Sequence, residues 1–348
     1  MKALLKFLIK TALILGFPFY VPILYVEFAC RGEPLADDYA SLLPPEHHRP
    51  EARTLMTYPE WHIVHAYTDY ARVIEDEDPH DFSFLGAIWG FWSSLCTLNE
   101  ASAAHGGVDG ETKQMVYVIG ASFTAEMLLK AAYEETFGHI AALIRGPERE
   151  PLDDLSARQA AEYAAFLRQT PWYKYDFLED DRELDLAATD TPRDNEREIA
   201  LGIENRVKAR YAAFIADRVA EIGPDEQSLR MVAWGLSPSQ FGAYDGVSVI
   251  GPREPGVELE VPRYAKLTKL LEQMALDGAE FVEIAGNDDI LITVLSDRVK
   301  QAPGSLMSVG VQGTDDRRFL MLVKVPELAE TLRGMQEGLL RLEHIHDY

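Results

Sequence analysis

Only two cysteines, Cys30 and Cys96, occur in 348 residues, and there is no Cys-x-x-Cys. A disulfide-stapled small scaffold and a thiolate metal knuckle are therefore excluded. Basic residues are also scarce: 33 Lys and Arg stand against 57 Asp and Glu, a formal charge of −24. Nucleic-acid binding works by neutralising phosphates, so no nucleic-acid partner is expected. No P-loop, Gly-x-Gly-x-x-Gly or Gly-x-Ser-x-Gly is present, which leaves a nucleotide cofactor and a serine-hydrolase elbow without support. The chain also reads as lacking internal repeats and low-complexity tracts. What it does have is 47% hydrophobic and 26% charged residues, enough apolar volume for one large core or two ordinary ones. Disorder and a multi-pass transporter are excluded on that ground.

The charge is unevenly spread. Residues 1–30 carry Lys2, Lys6, Lys10 and Glu27, so the remainder holds a net −26. Thr11 to Val26 is uncharged, and with Phe7, Leu8 and Ile9 and a snorkelling Lys10 it reaches about 20 residues, the length of one membrane span. The exit Val26-Glu27-Phe28-Ala29-Cys30 has no small-x-small cleavage pattern, so an uncleaved N-terminal transmembrane helix is expected rather than a signal peptide. Lysines before the span and acids after it predict a cytoplasmic N-terminus and an extracytoplasmic body. Two further apolar runs, Phe82–Asn99 with Gly86, Gly90 and Ser94 at four-residue spacing, and Met115–Leu129, resemble membrane segments. They are expected to be buried helices of the body, because the loops around them show no positive-inside bias.

Residues 31–56 have the composition of a Pro-rich connector. From 57 to 223 the periodicity is helical: Trp61, Val64, Tyr67, Ala71 and Ile74 form one stripe, with Pro59 expected in the first turn. Further helices are expected at Phe82–Ala101, Gly110–Ile144 and Leu152 to about Pro171, then a weakly structured acidic stretch to Asp194. Glu196–Ile222 is expected to pack Ile199, Ile203, Val207, Tyr211, Phe214 and Val219 on the core. After Gly223-Pro224, residues 224–348 alternate like strands at Val247–Ile250, Val257–Val261, Phe281–Ala285, Ile290–Leu295, Leu306–Val311 and Phe319–Val325, with helices at Tyr264–Leu276 and Glu327 to about His344. The fold class expected is a mainly α helical domain followed by a small α+β domain, behind a membrane anchor at 1–30.

His62, His65 and Asp69 share one helical face, and Glu126, Glu135 and His139 lie on another helix. Imidazole and carboxylate groups from two packed helices are the donor set of metal sites in bundles, so these six are candidate ligands of a transition metal. A salt-bridge ladder of Glu126, Lys130 and Glu134 is the competing account. Trp172, Tyr173, Tyr175 and Phe177 follow a proline outside any clear helix and are expected to form a ligand or partner surface. Cys30 at the membrane exit and Cys96 in an apolar helix are expected to be free thiols, and His344 and His346 to lie on a frayed, solvated helix end. The function expected is binding or scaffolding: an assembly-accessory protein with membrane lipid, and a membrane protein, as partners. The alternative is a membrane-associated metal-dependent enzyme acting on an apolar substrate.

Overall fold

The computed structural model describes residues 2–36, 39–50, 52–222, 227–335 and 338–347, with side chains in the first helix described from Gly16 onward. The expected boundary at Gly223-Pro224 lies outside the described residues. Helix α1 (Lys2–Ala29) continues through Pro18 and Pro22. Helix α2 (Ala52–Asp76) begins before the expected Tyr58, so Pro59 falls inside it rather than in its first turn. Ser83 caps α3 (Phe84–Ala101) by accepting from Gly86 N, and Asp109 caps α4 (Gly110–Tyr133) by accepting from Glu111 N and Thr112 N. A π-helical turn at Glu134–Gly138 leads into α5 (His139–Arg145). Then come α6 (Pro151–Leu167), α7 (Phe177–Ala187) and α8 (Pro192–Ile222).

Helix α7 and the start of α8 occupy the acidic stretch expected to have little structure. Its acids serve as caps and buried acceptors instead of as a solvated coil. Asp176 accepts from Glu179 N, and buried Asp194 accepts from Leu152 N, Thr189 N and Thr189 Oγ1.

Two antiparallel four-stranded sheets follow. The first contains β1 (Ser228–Trp234), β2 (Ser248–Arg253), β3 (Gly256–Pro262) and β4 (Glu280–Ile284) in the order β2-β3-β1-β4. The second contains β5 (Asp289–Ser296), β6 (Ser305–Gly310), β7 (Arg317–Lys324) and β8 (Arg341–His346) in the order β6-β7-β5-β8. The short α9 (Pro238–Phe241) precedes β2, α10 (Ala265–Leu276) joins β3 to β4, and α11 (Val325–Met335) joins β7 to β8.

The two halves therefore share one topology: three strands, a helix, and a fourth strand that returns beside the first. Around the start of the helix both carry the same five-residue pattern Val-Pro-x-x-Ala, at Val261–Ala265 and Val325–Ala329. The expectation of no internal repeat is corrected by this duplication, which lives in strand order and leaves only that short trace in the residues.

Strand alternation explains the packing. Ile290, Ile292 and Val294 of β5 and Phe319 and Val323 of β7 join a core with α10 and α11. Leu291 and Leu320, pointing the opposite way, pack into the helical core of α2, α3 and α4. In both repeats the fourth strand grips the preceding chain. Buried Glu283 of β4 accepts from Tyr39 Oη, Ser41 Oγ, Leu42 N and Leu43 N, and His346 O of β8 accepts from Thr54 Oγ1. Gly286, at φ 83°, passes so close to His48 that a Cβ would lie 2.8 Å from its ring.

Candidate functional site

Helix α2 and strand β8 bring four imidazoles together. His62 and His65 are one turn apart on α2, and His344 and His346 are two apart on β8, so each pair shares a face. All four are buried. The indole of Trp61 stacks on His344 with centroids 3.4 Å apart, His344 meets His346 at 4.8 Å, and Tyr58 meets His346 at 5.4 Å. Gly90 seats His62: a Cβ there would lie 2.6 Å from its Cε1.

Each ring is held at one point at most. His62 Nε2 donates to Ala87 O at 2.9 Å, His344 Nδ1 pairs with Thr268 Oγ1 at 2.9 Å, and His65 Nδ1 lies 3.5 Å from Glu343 Oε1. Tyr58 Oη, His62 Nδ1, His65 Nε2, His344 Nε2 and both nitrogens of His346 have no hydrogen-bond partner among the described residues. Buried Arg318 donates to both oxygens of Glu343, at 2.5 and 2.7 Å, and lies 3.8 Å from Asp69. Burial is the first cause that lowers the pKa of every imidazole. The charge of Arg318 adds to it for His62, His65 and His346, and His346 adds to it for His344. His62 is pushed down to about 4 and His346 to about 3, so the cluster is neutral at ordinary pH.

Only two of the six expected metal ligands belong to this cluster. Asp69 stands beside it, accepting from Arg72 Nη1 and Gln312 N, each at 3.2 Å. Glu126 is bonded by Tyr67 Oη at 2.5 Å and Lys208 Nζ at 2.8 Å. Glu135 is exposed, and His139 packs on His80 with ring centroids 4.1 Å apart. Among the described residues, the one group of at least three His, Cys, Asp or Glu with ligand atoms mutually within 4.8 Å is Cys30, Cys96 and Glu100. The six are thus spread over separate surroundings. His344 and His346, expected on a solvated helix end, are the partners that sequence reasoning missed. The alternation in Leu342-Glu343-His344-Ile345-His346 was the available signal, because it places both imidazoles on one face of a strand.

Cys30 and Cys96 are bonded, with Cα atoms 5.1 Å apart, which corrects the expectation of free thiols. The end of α1 lies against α3, where Asn99 Nδ2 also donates to Cys30 O at 2.5 Å. The aromatic run is mostly packing. Phe177 is buried, Tyr175 Oη donates to Asp180 at 3.3 Å, Trp172 lies 5.3 Å from Tyr211, and Tyr173 is half-buried. Lys208 Nζ sits over the rings of Tyr67, Tyr163 and Phe177 at 5.1, 5.2 and 5.6 Å.

A second feature is the orientation of α8. The stripe expected to face the core, Ile199, Ile203, Val207, Tyr211 and Phe214, is exposed by 46–65% of each residue's surface. What α8 buries is Arg193, Asp194 and Arg197 near its start, with the small residues Gly202 and Ala212 farther along. Arg193 bonds Asp153 at 2.9 Å and Glu196 at 2.8 Å, and Arg197 bonds both oxygens of Glu134 at 3.0 and 3.1 Å. Helix α4 is arranged the same way. Glu126 and Lys130 turn inward to Lys208 and Glu204, each pair at 2.8 Å, while Met115, Val118 and Leu129 are exposed. The pairs 126 with 208 and 130 with 204 make the two helices antiparallel, and on each the apolar residues lie on the same rotational side of the ion pairs. The two helices thus expose aliphatic residues on the same side, and Phe137, Ile140, Leu143 and Ile144 beyond α4 are exposed as well. Helix α4 also buries Val116, Phe123 and Met127, so it is apolar on two sides, whereas α8 turns most of its aliphatic side chains outward, the reverse of an ordinary amphipathic helix.

Comparison with protein-family models, curated proteins and solved structures finds no match to this chain.

Proposed function

We propose that this protein is a membrane-anchored accessory or scaffold protein, with its body on the extracytoplasmic side, that holds a membrane partner or a lipid-like ligand. The observation that carries this reading is the exposed aliphatic face shared by α4 and α8. A face that exposes aliphatic side chains while the neighbouring ion pairs of Glu126, Lys130, Glu204 and Lys208 lie between the helices is complementary to an apolar partner. The apolar helix α1 supplies the tether. It seats Val26, with Cys30 just beyond it, against the body, while Phe17, Leu24, Tyr25 and Phe28 are exposed. Lysines before the span favour a cytoplasmic N-terminus. The Cys30–Cys96 bond supports an oxidising location for the body, since structural disulfides persist in such compartments. The chemistry-bearing charges, Arg193, Arg197 and Lys208, are each engaged by carboxylates, which favours binding over catalysis. The metal-dependent alternative has no comparable support, because Glu126, Glu135 and His139 lie away from His62, His65 and Asp69, each in its own surroundings.

The test is a pair of C-terminal reporters, one active only in the cytoplasm and one only outside it, combined with thiol alkylation of the full-length chain in membranes. The outer reporter should be active, and Cys30 and Cys96 should resist alkylation until a reductant is added. An active cytoplasmic reporter with freely alkylated cysteines would overturn the reading.

A further inference from the structure

We infer that the outward face of α4, α5 and α8 lies against the acyl chains of the bilayer, in the leaflet from which α1 emerges; this rests on the membrane-anchor reading above.

Position is the first argument. Glu27 Oε1 accepts from Tyr117 Oη at 2.7 Å and lies 4.0 Å from Lys113 Nζ. One turn back along α1, Ile23 lines a groove of about 340 Å³ together with Tyr117, Val118 and Ala121. Moving from the exit of α1 toward its apolar run therefore means moving forward along α4. The Cys30–Cys96 bond fixes α3, and with it α4, at that exit. The start of the outward face is thus level with the apolar segment that the anchor reading places in the membrane.

The chemistry of the face is the second argument. Eleven residues between Met115 and Ile144 are exposed, and Glu135 is the one charged residue among them. Within the 36-residue stretch Gly110–Arg145, an 18-residue window reaches a mean hydropathy of 1.3, and 28% of that window is buried within the protein. A buried core helix would pass the same composition test with most of its surface covered, and this one does not. Beyond the first turn of α4, where Glu111 is exposed and Lys113 meets Glu27, its charges Glu126 and Lys130 are paired with α8, the arrangement that hydrocarbon demands and water does not. Among the described residues of α8 the exposed charges are Arg206, Arg210, Asp217 and Arg218, three of them basic; Arg210 stands beside Ile203, Val207 and Tyr211, and a stem of its length can carry a charge from an apolar level to phosphate headgroups. Amphipathic helices that rest in the interface show this combination of an aliphatic face and basic flanks.

Single cysteines introduced into the full-length chain in native membranes test the inference. An impermeant maleimide is applied from the side of the body to Val118→Cys, Leu129→Cys and Ile203→Cys, with Ser239→Cys as a water-exposed control and Phe17→Cys reporting on the anchor. Ser239→Cys should label fully. The three face positions should stay unlabelled until a mild detergent replaces the lipid, and then label. Labelling of the face positions in intact membranes at the rate of Ser239→Cys would overturn the inference; with Phe17→Cys still protected, the anchor reading would survive. Labelling of Phe17→Cys as well would remove both. Face positions that stay protected in mild detergent would be covered by a protein and not by lipid, which also overturns the inference.

Discussion

Acidification below about pH 6.5 should weaken this protein, because the loss from its buried histidines outweighs the opposite contribution of Asp180, whose carboxyl burial pushes up to about 6. His62 and His346 are held at about 4 and about 3, whereas unfolded histidine titrates near about 6.5. A group whose folded pKa is depressed in this way binds more protons when unfolded, so stability is lost as pH falls through the unfolded value and the loss levels off below the folded one. At pH 5 each of the two costs about 2 kcal/mol, and about 4 kcal/mol together, against a total stability of about 5–15 kcal/mol. His65 and His344 are shifted in the same direction and add to the loss. The groups facing the cluster do not reverse the sign. Glu343 and Asp69 would favour charged imidazoles, but both are engaged by Arg318, and Tyr58 is neutral and buried. Urea denaturation of the detergent-solubilised full-length chain, followed by tryptophan emission, would measure it, with Trp61 stacked on His344 as a local reporter. The midpoint should fall steadily between pH 6.5 and 4.5, and His346→Phe should flatten the curve by up to one proton. A midpoint unchanged between pH 7 and pH 5 would refute the reasoning.

Removing the Cys30–Cys96 bond by Cys96→Ser should cost about 4 kcal/mol by loop-closure entropy for a separation of 66 residues, seen as a lower denaturation midpoint that reductant no longer changes. Gly90→Ala drives a methyl into His62 and should cost about 1–3 kcal/mol; His62→Ala in the same chain should recover part of it, as thermal denaturation would show. Arg197→Ala leaves Glu134 buried without its partner and should cost about 3–5 kcal/mol, whereas Arg197→Met combined with Glu134→Leu should be far milder.

Much of the fold was legible in the residues, because local periodicity and turn chemistry are local quantities. Strands near Val257–Val261, Ile290–Leu295 and Phe319–Val325, and the helix ending at Leu276, lie close to where alternation and helical spacing put them. Two strands escaped. Strand β1, Ser-Leu-Arg-Met-Val-Ala-Trp, alternates only over its first four residues, and β8 continues the helical spacing of α11, although Gly334 and Gly338 interrupt it. The stripe on α8 was found correctly as a set but assigned the wrong medium. Periodicity tells which residues share a face and is silent about whether protein or something outside it covers that face. The cluster itself depends on two segments nearly the whole chain apart, and no local pattern pairs His62 with His346. The disulfide was hidden for the same reason, since its formation depends on how α1 meets α3.

The bond from Thr54 Oγ1 to His346 O spans 292 positions, and Thr54 Oγ1 also accepts from Leu291 N. Helix α2 thus waits for its covering strand through most of synthesis, about 15–60 s at ~5–20 residues per second. During that interval Tyr58, Trp61, His62 and His65 have no β8 to close over them, and the apolar faces of α4 and α8 are already made. If the chain enters the membrane as it emerges, lipid reaches those faces before β8 reaches α2. The bilayer would then act as the surface on which the bundle assembles, and the C-terminal repeat would lock an arrangement that the membrane had already oriented.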